Sequence, residues 1–268
     1  MEIVLTIAGS DTGAGAGIQQ DLKTITNCGC YATTVITAIT AQNTLGVQHV
    51  MPVDAEVVRQ QLRSVFSDFD VKAVKIGMVP NAAIAEVVVN ELTSVLQSKS
   101  VSTSTSASDS SSLPIVVDPI MFSTSGTKLM SDDCILFVVN NLFPLATLVT
   151  PNLPESEYLM KNTSFGSIPV SVLTKGGHAD GNAMTDKLWI ADEEREVLFT
   201  SKRVETSNLH GTGCTLSSAI ASHLAKGLDL ETAVSKAKEY IQRAIEGGKN
   251  LNIGHGNGPL WWTIHYKE

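Results

Sequence analysis

The sequence predicts an α/β fold, a three-layer α/β/α sandwich with a mainly parallel central sheet. Three observations carry this. Short β-branched apolar runs alternate with amphipathic helical runs along the chain, the pattern of a sheet covered on both faces by helices. The strand runs are apolar at nearly every position instead of every second one, as in strands buried on both sides. Unusual residues recur just after these strands, where ligands bind in open parallel sheets.

The elements follow in order. Ile3–Ala8 is a buried strand running into a glycine-rich loop. Gly17–Asn27 has helical spacing and stops before Gly29, a C-cap signal. Ala32–Thr40 is a strand, and Ala55–Phe66 is a helix with Val57, Val58, Leu62, Val65 and Phe66 near one side. Val71–Ile76 is a strand and Ala82–Leu96 a helix. Pro114–Asp118, Thr147–Thr150 and Ser171–Thr174 are strands. Leu188–Ile190 and Val197–Thr200 flank an acidic turn as a hairpin, and Thr215–Ala225 and Leu230–Glu246 are helices. Ser98–Ser112 has nine serines in fifteen residues and reads as a flexible surface loop. No internal repeat is present.

Composition narrows the function. The chain has 268 residues, 43% hydrophobic and 17% charged, which suits a folded α/β protein and excludes a disordered or collagen-like chain. The net charge of −8 argues against a nucleic-acid binder working through a broad basic surface. A small anionic substrate stays open, because a few local groups can hold a phosphate. No apolar run reaches the roughly 20 residues of a membrane span. The N-terminus lacks a basic segment and reads as a strand, not a signal peptide. Cys28, Cys30, Cys134 and Cys214 are scattered and lack a second pair at zinc spacing. Reduced thiols in a cytoplasmic protein are expected.

Four motifs follow strands. GSDTGAGAG (9–17) is neither a P-loop nor G-x-G-x-x-G, so it reads either as a tight strand-to-helix turn or as a close backbone approach to a ligand. HGTGC (210–214) opens a helix. Its free backbone N–H groups and the helix dipole make an anion hole from Gly211, Thr212 and Gly213, and Cys214 stands where a helix start lowers a thiol pKa. The plainer reading is a flexible cap with a buried cysteine. PNLPE (151–155) places Asn152 and Glu155 three apart, with Asp118 after another strand. Together they suit a hydrated Mg²⁺, or Asn152 simply caps a helix. KGGH (175–178) offers a lysine and paired glycines to a phosphate, or is an ordinary turn. Gln42 and Gly77–Met78 also follow strands.

These motifs resemble the ribokinase-like small-molecule kinases. In more detail the chain is similar to the hydroxymethylpyrimidine/phosphomethylpyrimidine kinases of thiamine biosynthesis, through LTIAGSD (5–11), GAGIQQDLKT (15–24), VITAITAQNTLGVQ (35–48), VKIGM (74–78), VVDPIM (116–121), TPNLPE (150–155), KGGH and HGTGCTLSSAIA (210–221). The resemblance spans nearly the whole chain. It implies one ribokinase-like domain over 1–268, with ATP and Mg²⁺ as cofactors. It implies phosphoryl transfer to 4-amino-5-hydroxymethyl-2-methylpyrimidine and then to its monophosphate. Gln42 would pair with the pyrimidine edge, while Gly9, Asp21 and Met78 line its pocket. Asp118 and Glu155 would lie near Mg²⁺, and Asn152, Lys175 and Gly177 near the nucleotide. Gly211, Thr212 and Gly213 would hold the transferring group, with the Cys214 thiolate as base for the substrate hydroxyl. A homodimer with no nucleic-acid or membrane partner is implied. The alternative is a pyridoxal kinase on the same scaffold. Three features depart from the family pattern: SDTGAGAG in the first loop, a short 156–174 stretch that lacks much of a helix, and the added serine-rich segment.

Overall fold

Nine strands form one sheet in the computed structural model of the chain, which describes residues 1–102, 113–122, 128–177 and 183–261. They are β1 (Ile3–Asp11), β2 (Tyr31–Asn43), β3 (Gly46–Pro52), β4 (Val71–Ile76), β5 (Ile115–Val117), β6 (Leu148–Val149), β7 (Ser171–Gly177), β8 (Ala183–Ile190) and β9 (Arg195–Lys202). Their spatial order is β3-β2-β1-β4-β5-β6-β7-β8-β9. The six strands from β2 to β7 are mutually parallel. Each end of the sheet is antiparallel, through β3 on one side and the β8–β9 hairpin on the other. The connections run in opposite directions on the two sides of β1, so its carboxyl end and that of β4 flank a topological switch point.

Among the described residues seven α-helices cover the sheet: α1 (Gly17–Asn27), α2 (Ala55–Asp68), α3 (Ala82–Ser102), α4 (Asp132–Phe137), α5 (Leu153–Asn162), α6 (Thr212–Ala225) and α7 (Leu230–Gly248). The two sides are sorted by strand alternation. Leu5, Ile7, Val74, Ile76, Ile115 and Val117 join a core with α2, α3 and α4. Val4, Ala73, Val116 and Leu148 point the other way, toward α1, α6 and α7. Complete burial of such a side chain contributes about 1.5–3 kcal/mol, so both faces are needed to hold the sheet. Asp54 starts α2 by accepting from the Glu56 and Val57 N–H groups, and Asp229 starts α7 by accepting from Thr232.

The predicted strands and helices are present, with longer bounds for β1, β2, β7, β8 and β9 and shorter ones for β5 and β6. Three differences appear. First, α3 continues to Ser102, so the serine-rich segment is not a loop from Ser98 onward. Helix propagation carries it, and Lys99 Nζ donates to Val71 O at 3.0 Å. The remainder of that predicted loop, 103–112, lies outside the described residues. Second, β3 and α4 were not anticipated. α4 runs on through a π turn at Val138–Leu142. Third, the short 156–174 stretch, expected to lack much of a helix, carries most of the ten-residue α5 and a short turn at Phe165–Ser167 on the way from β6 to β7.

Candidate active site

Asp11 ends β1 and organises the first glycine-rich loop. Its Oδ1 accepts from Gly13 N–H at 2.8 Å, and its Oδ2 accepts from Ala16 and Gly15 at 2.8 and 3.1 Å and meets His210 Nε2 at 2.9 Å. Burial works against the Asp11 carboxylate, but His210 and the N–H groups of Ala16 and Gly13 hold it below its ordinary value. Gly17 has φ +59°, and a Cβ there would overlap Gly9 O, so only glycine fits the turn into α1.

The second glycine motif interlocks with the first. Gly211, at φ +88°, is the N-cap of α6 and packs on Gly15 O with no room for a Cβ. Helix α6 begins at Thr212, three residues earlier than expected, which places Gly213 and Cys214 inside its first turn. First-turn N–H groups have no intrahelical acceptor and present the positive end of the helix dipole. A Cβ on Gly213 would sit 2.8 Å from Asp118 Oδ2 and 3.3 Å from Lys175 Nζ, so the start of α6, β5 and β7 converge on one spot.

At that spot Lys175 Nζ pairs with Asp118 Oδ1 at 2.7 Å, and Thr150 Oγ1 donates to the same oxygen at 3.1 Å. Burial pulls the Lys175 ammonium down, yet Asp118, Glu155 and Cys214 hold it above its ordinary value. Asn152 and Glu155 form a complete capping box at the start of α5. Asn152 Oδ1 accepts from Glu155 N–H at 2.8 Å, and Glu155 Oε2 accepts from Asn152 N–H at 2.9 Å. The capping reading of PNLPE is therefore realised, and it coexists with the carboxylate reading. Burial and the nearby Asp118 push Glu155 up to about 7, against the pull of Lys175.

One cavity of about 890 Å³ joins these groups. Its walls include the predicted Gly9, Gln42 and Met78 on one side, and Asn152, Lys175, Asp118 and Glu155 on the other. Gly211, Thr212, Gly213 and Cys214 lie between them. Gly9 and Met78 touch: a Cβ on Gly9 would lie 3.1 Å from Met78 Sδ. Gly177 closes β7 and pairs with Thr185 of β8, whereas His178 lies outside the described residues.

Two predicted roles need correction. Asp21 does not line the pocket. It is fully buried, bonded to Lys75 Nζ at 2.9 and 2.8 Å, and accepts from Thr6 Oγ1 at 2.6 Å and Ser218 Oγ at 2.8 Å. Its partners use up the carboxylate and lock α1, β1, β4 and α6 together beneath the site. Cys214 is not a ready thiolate. Burial pushes it up to about 11, and Asp21 and Asp118 add to this against the pull of Lys75 and the Gly17 N–H. All four cysteines are free thiols.

Sequence reasoning missed Asp11, His210, Asp186 and Lys238. Asp186 Oδ1 accepts from Gly176 N–H at 2.8 Å and its Oδ2 pairs with Lys238 Nζ at 2.5 Å, which pins the KGG turn. The available signal for Asp11 was an aspartate inside a glycine-rich loop, a side chain suited to collecting N–H groups. After α7 the chain crosses back as a glycine-rich strap over Thr44 and the His210 backbone. Gly254 and Gly256 pack on Thr44 without space for a Cβ. Asn257 N–H donates to Thr44 O at 2.8 Å, and His210 N–H donates to Gly258 O at 3.1 Å.

Among the described residues no helix is long and apolar enough to cross a membrane. Residues 11–261 match the family model described as phosphomethylpyrimidine kinase. A hydroxymethylpyrimidine/phosphomethylpyrimidine kinase of Rhizobium meliloti (strain 1021) is 43% identical over 279 residues, covering 97% of this chain and 98% of that protein. The crystal structure of phosphomethylpyrimidine kinase from Clostridium difficile 630 superposes with a TM-score of 0.73 at 36% identity, over 91% of this chain and all of that one. An ADP complex of Bacillus subtilis pyridoxal kinase gives a TM-score of 0.79 at 29% identity, over 97% of each chain. The shared scaffold agrees with the ribokinase-like fold expected from the motifs, and the family match spans nearly the whole chain: the chain belongs to the phosphomethylpyrimidine kinase family.

Proposed function

We propose that the protein is an ATP-dependent kinase that phosphorylates 4-amino-5-hydroxymethyl-2-methylpyrimidine and then its monophosphate, in thiamine biosynthesis. The observation that carries this is the convergence in one cavity of Gln42, the Asp118–Lys175 pair and the first turn of α6. Gly9, Gln42 and Met78 form the pyrimidine end. Gln42 offers a planar donor–acceptor pair to the ring nitrogen and exocyclic amine. Asn152, Lys175 and Gly177 face the nucleotide phosphates. The backbone of Gly211, Thr212 and Gly213 stabilises the charge on the transferring group. The adenine-nucleotide complex of the pyridoxal kinase relative supports ATP as the donor.

Mg²⁺ suits the chemistry present. Two buried carboxylates, Asp118 and Glu155, stand close enough that one raises the other, and a hydrated divalent cation needs only one or two such groups. They would hold it, and it would neutralise charge on the phosphate oxygens. Cys214 works as a neutral thiol that orients the hydroxymethyl oxygen. A loose phosphoryl-transfer transition state asks little of a general base. The same proposal includes one catalytic domain over 1–268, a cytoplasmic location and a homodimer, the last checked by light scattering.

ADP release measured with the hydroxymethylpyrimidine, its monophosphate and pyridoxal tests the reading. Turnover of both pyrimidines above pyridoxal is expected. Turnover of pyridoxal alone would overturn it. Gln42→Met should narrow the pyrimidine preference, since an unsatisfied buried amide costs about 1–3 kcal/mol.

A further inference from the structure

His210 meets two polar groups at a single ring atom. Its Nε2 lies 2.9 Å from Asp11 Oδ2 and 3.3 Å from Gln42 Nε2. An ionised carboxylate only accepts hydrogen bonds. The hydrogen between Asp11 and His210 therefore belongs to His210 Nε2, which makes that atom a donor. A donor cannot satisfy the amide nitrogen of Gln42, which is also a donor.

The other flank of Gln42 makes the same demand. Thr40 Oγ1 lies 3.0 Å from Ser10 O and 3.2 Å from Gln42 Oε1. A hydroxyl has one hydrogen and a carbonyl oxygen only accepts, so that hydrogen goes to Ser10. A lone pair is then left facing Gln42. Both flanks ask for the amide oxygen toward His210 and the amide nitrogen toward Thr40. The two ends of an amide are nearly isosteric, and a half-turn in place exchanges them.

The imidazole is held firmly enough to impose this. The Cδ2 edge of its ring abuts Gly15, where a Cβ would overlap it. Its backbone N–H is tied to Gly258 O, and the adjoining Gly211 is locked on Gly15. The side chain is only 13% exposed.

We propose that His210 is a positioning residue for substrate recognition: with its Nε2–H donated to Asp11, its ring edge excludes a second donor and so turns the Gln42 amide with Oε1 toward the imidazole. The fixed amide keeps one free N–H and one free lone pair in its plane. Those complement a ring nitrogen beside an exocyclic amine, and their order decides which way the ring docks. This rests on the pyrimidine reading above and adds to it the residues that set the polarity of the reader.

Two measurements test it. In ¹⁵N-histidine spectra of the full wild-type chain, the His210 signal, assigned by its absence from His210→Gln, should show hydrogen on Nε2. A bare Nε2 overturns the proposal. In steady-state assays His210→Phe keeps an aromatic ring edge at Gly15 but removes the N–H. Its KM for the hydroxymethylpyrimidine should rise about tenfold or more, with kcat within about threefold of wild type. His210→Gln supplies an N–H and should recover part of the loss. If wild type turns over the pyrimidine and His210→Phe keeps its KM, the positioning role falls and the assigned activity stands. If wild type does not turn over the pyrimidine, both fall. Should His210→Phe fail to fold, the wild-type spectrum alone decides.

Discussion

Lys75 Nζ sits 2.9 and 2.8 Å from the two carboxylate oxygens of Asp21, and neither side chain reaches solvent. Thr6 and Ser218 complete the carboxylate's shell. Breaking a buried pair strands a charge and destabilises by about 3–5 kcal/mol, whereas replacing both partners is far milder. Lys75→Met should therefore lower stability by that amount in urea unfolding, and Lys75→Met with Asp21→Asn by much less. A single variant within about 1 kcal/mol of wild type would show that the pair is not what holds these elements together.

Cys214 should react as a buried neutral thiol. With its proton affinity at about 11, the thiolate fraction grows tenfold per pH unit across the accessible range. Alkylation of Cys214 by iodoacetamide, followed by mass spectrometry, should rise steadily from pH 7 to about 10 without levelling. A plateau below pH 9 would mean that the start of α6 outweighs burial after all.

Glu155 makes stability depend on pH. Its carboxyl is raised from 4.5 to about 7, so the fold binds a proton that the unfolded chain releases. The stabilising effect is full below pH 4.5 and is lost as pH rises through 7, a difference of about 3 kcal/mol. Glu155→Gln keeps an acceptor for Asn152 N–H and removes the titration. Its stability relative to wild type should increase between pH 5 and 8. Parallel pH profiles for the two proteins would contradict this. Added Mg²⁺ should flatten the wild-type profile.

Gly213→Ala tests the convergence of α6 with the ion pair. The new methyl would push into Asp118 Oδ2 and Lys175 Nζ. A folded variant should lose about 10²-fold in kcat, comparable with removing one donor from an oxyanion hole. Near-normal turnover would separate the first turn of α6 from the chemistry.

Most of the sheet was legible because parallel strands buried on both faces write continuous apolar runs. β3 was not. GVQHVMP lies at the sheet edge, mostly open to solvent, so no burial pattern marks it. The 132–142 helix was hidden in an apolar run that a strand would also allow, and it runs on through a π segment at Val138–Leu142. The glycine motifs located the site, since backbone approach needs glycine wherever the chain folds. The depth of Asp21 was invisible, because its partner Lys75 is 54 residues away. The state of Cys214 was misread for a related reason: its place at a helix start is local, while the burial and carboxylates that raise it are tertiary.

The glycine strap after α7 also has a meaning in time. Thr44 and the Gln42-bearing edge of β2 are made early on the ribosome, yet the groups that clasp them, Gly254 to Asn257, emerge some two hundred residues later. The sheet can assemble from its first seven strands as they appear. The strap is made only after every described strand of the sheet, and a chain cut just after α7 would lose the backbone donor to Thr44 and the acceptor for the His210 N–H.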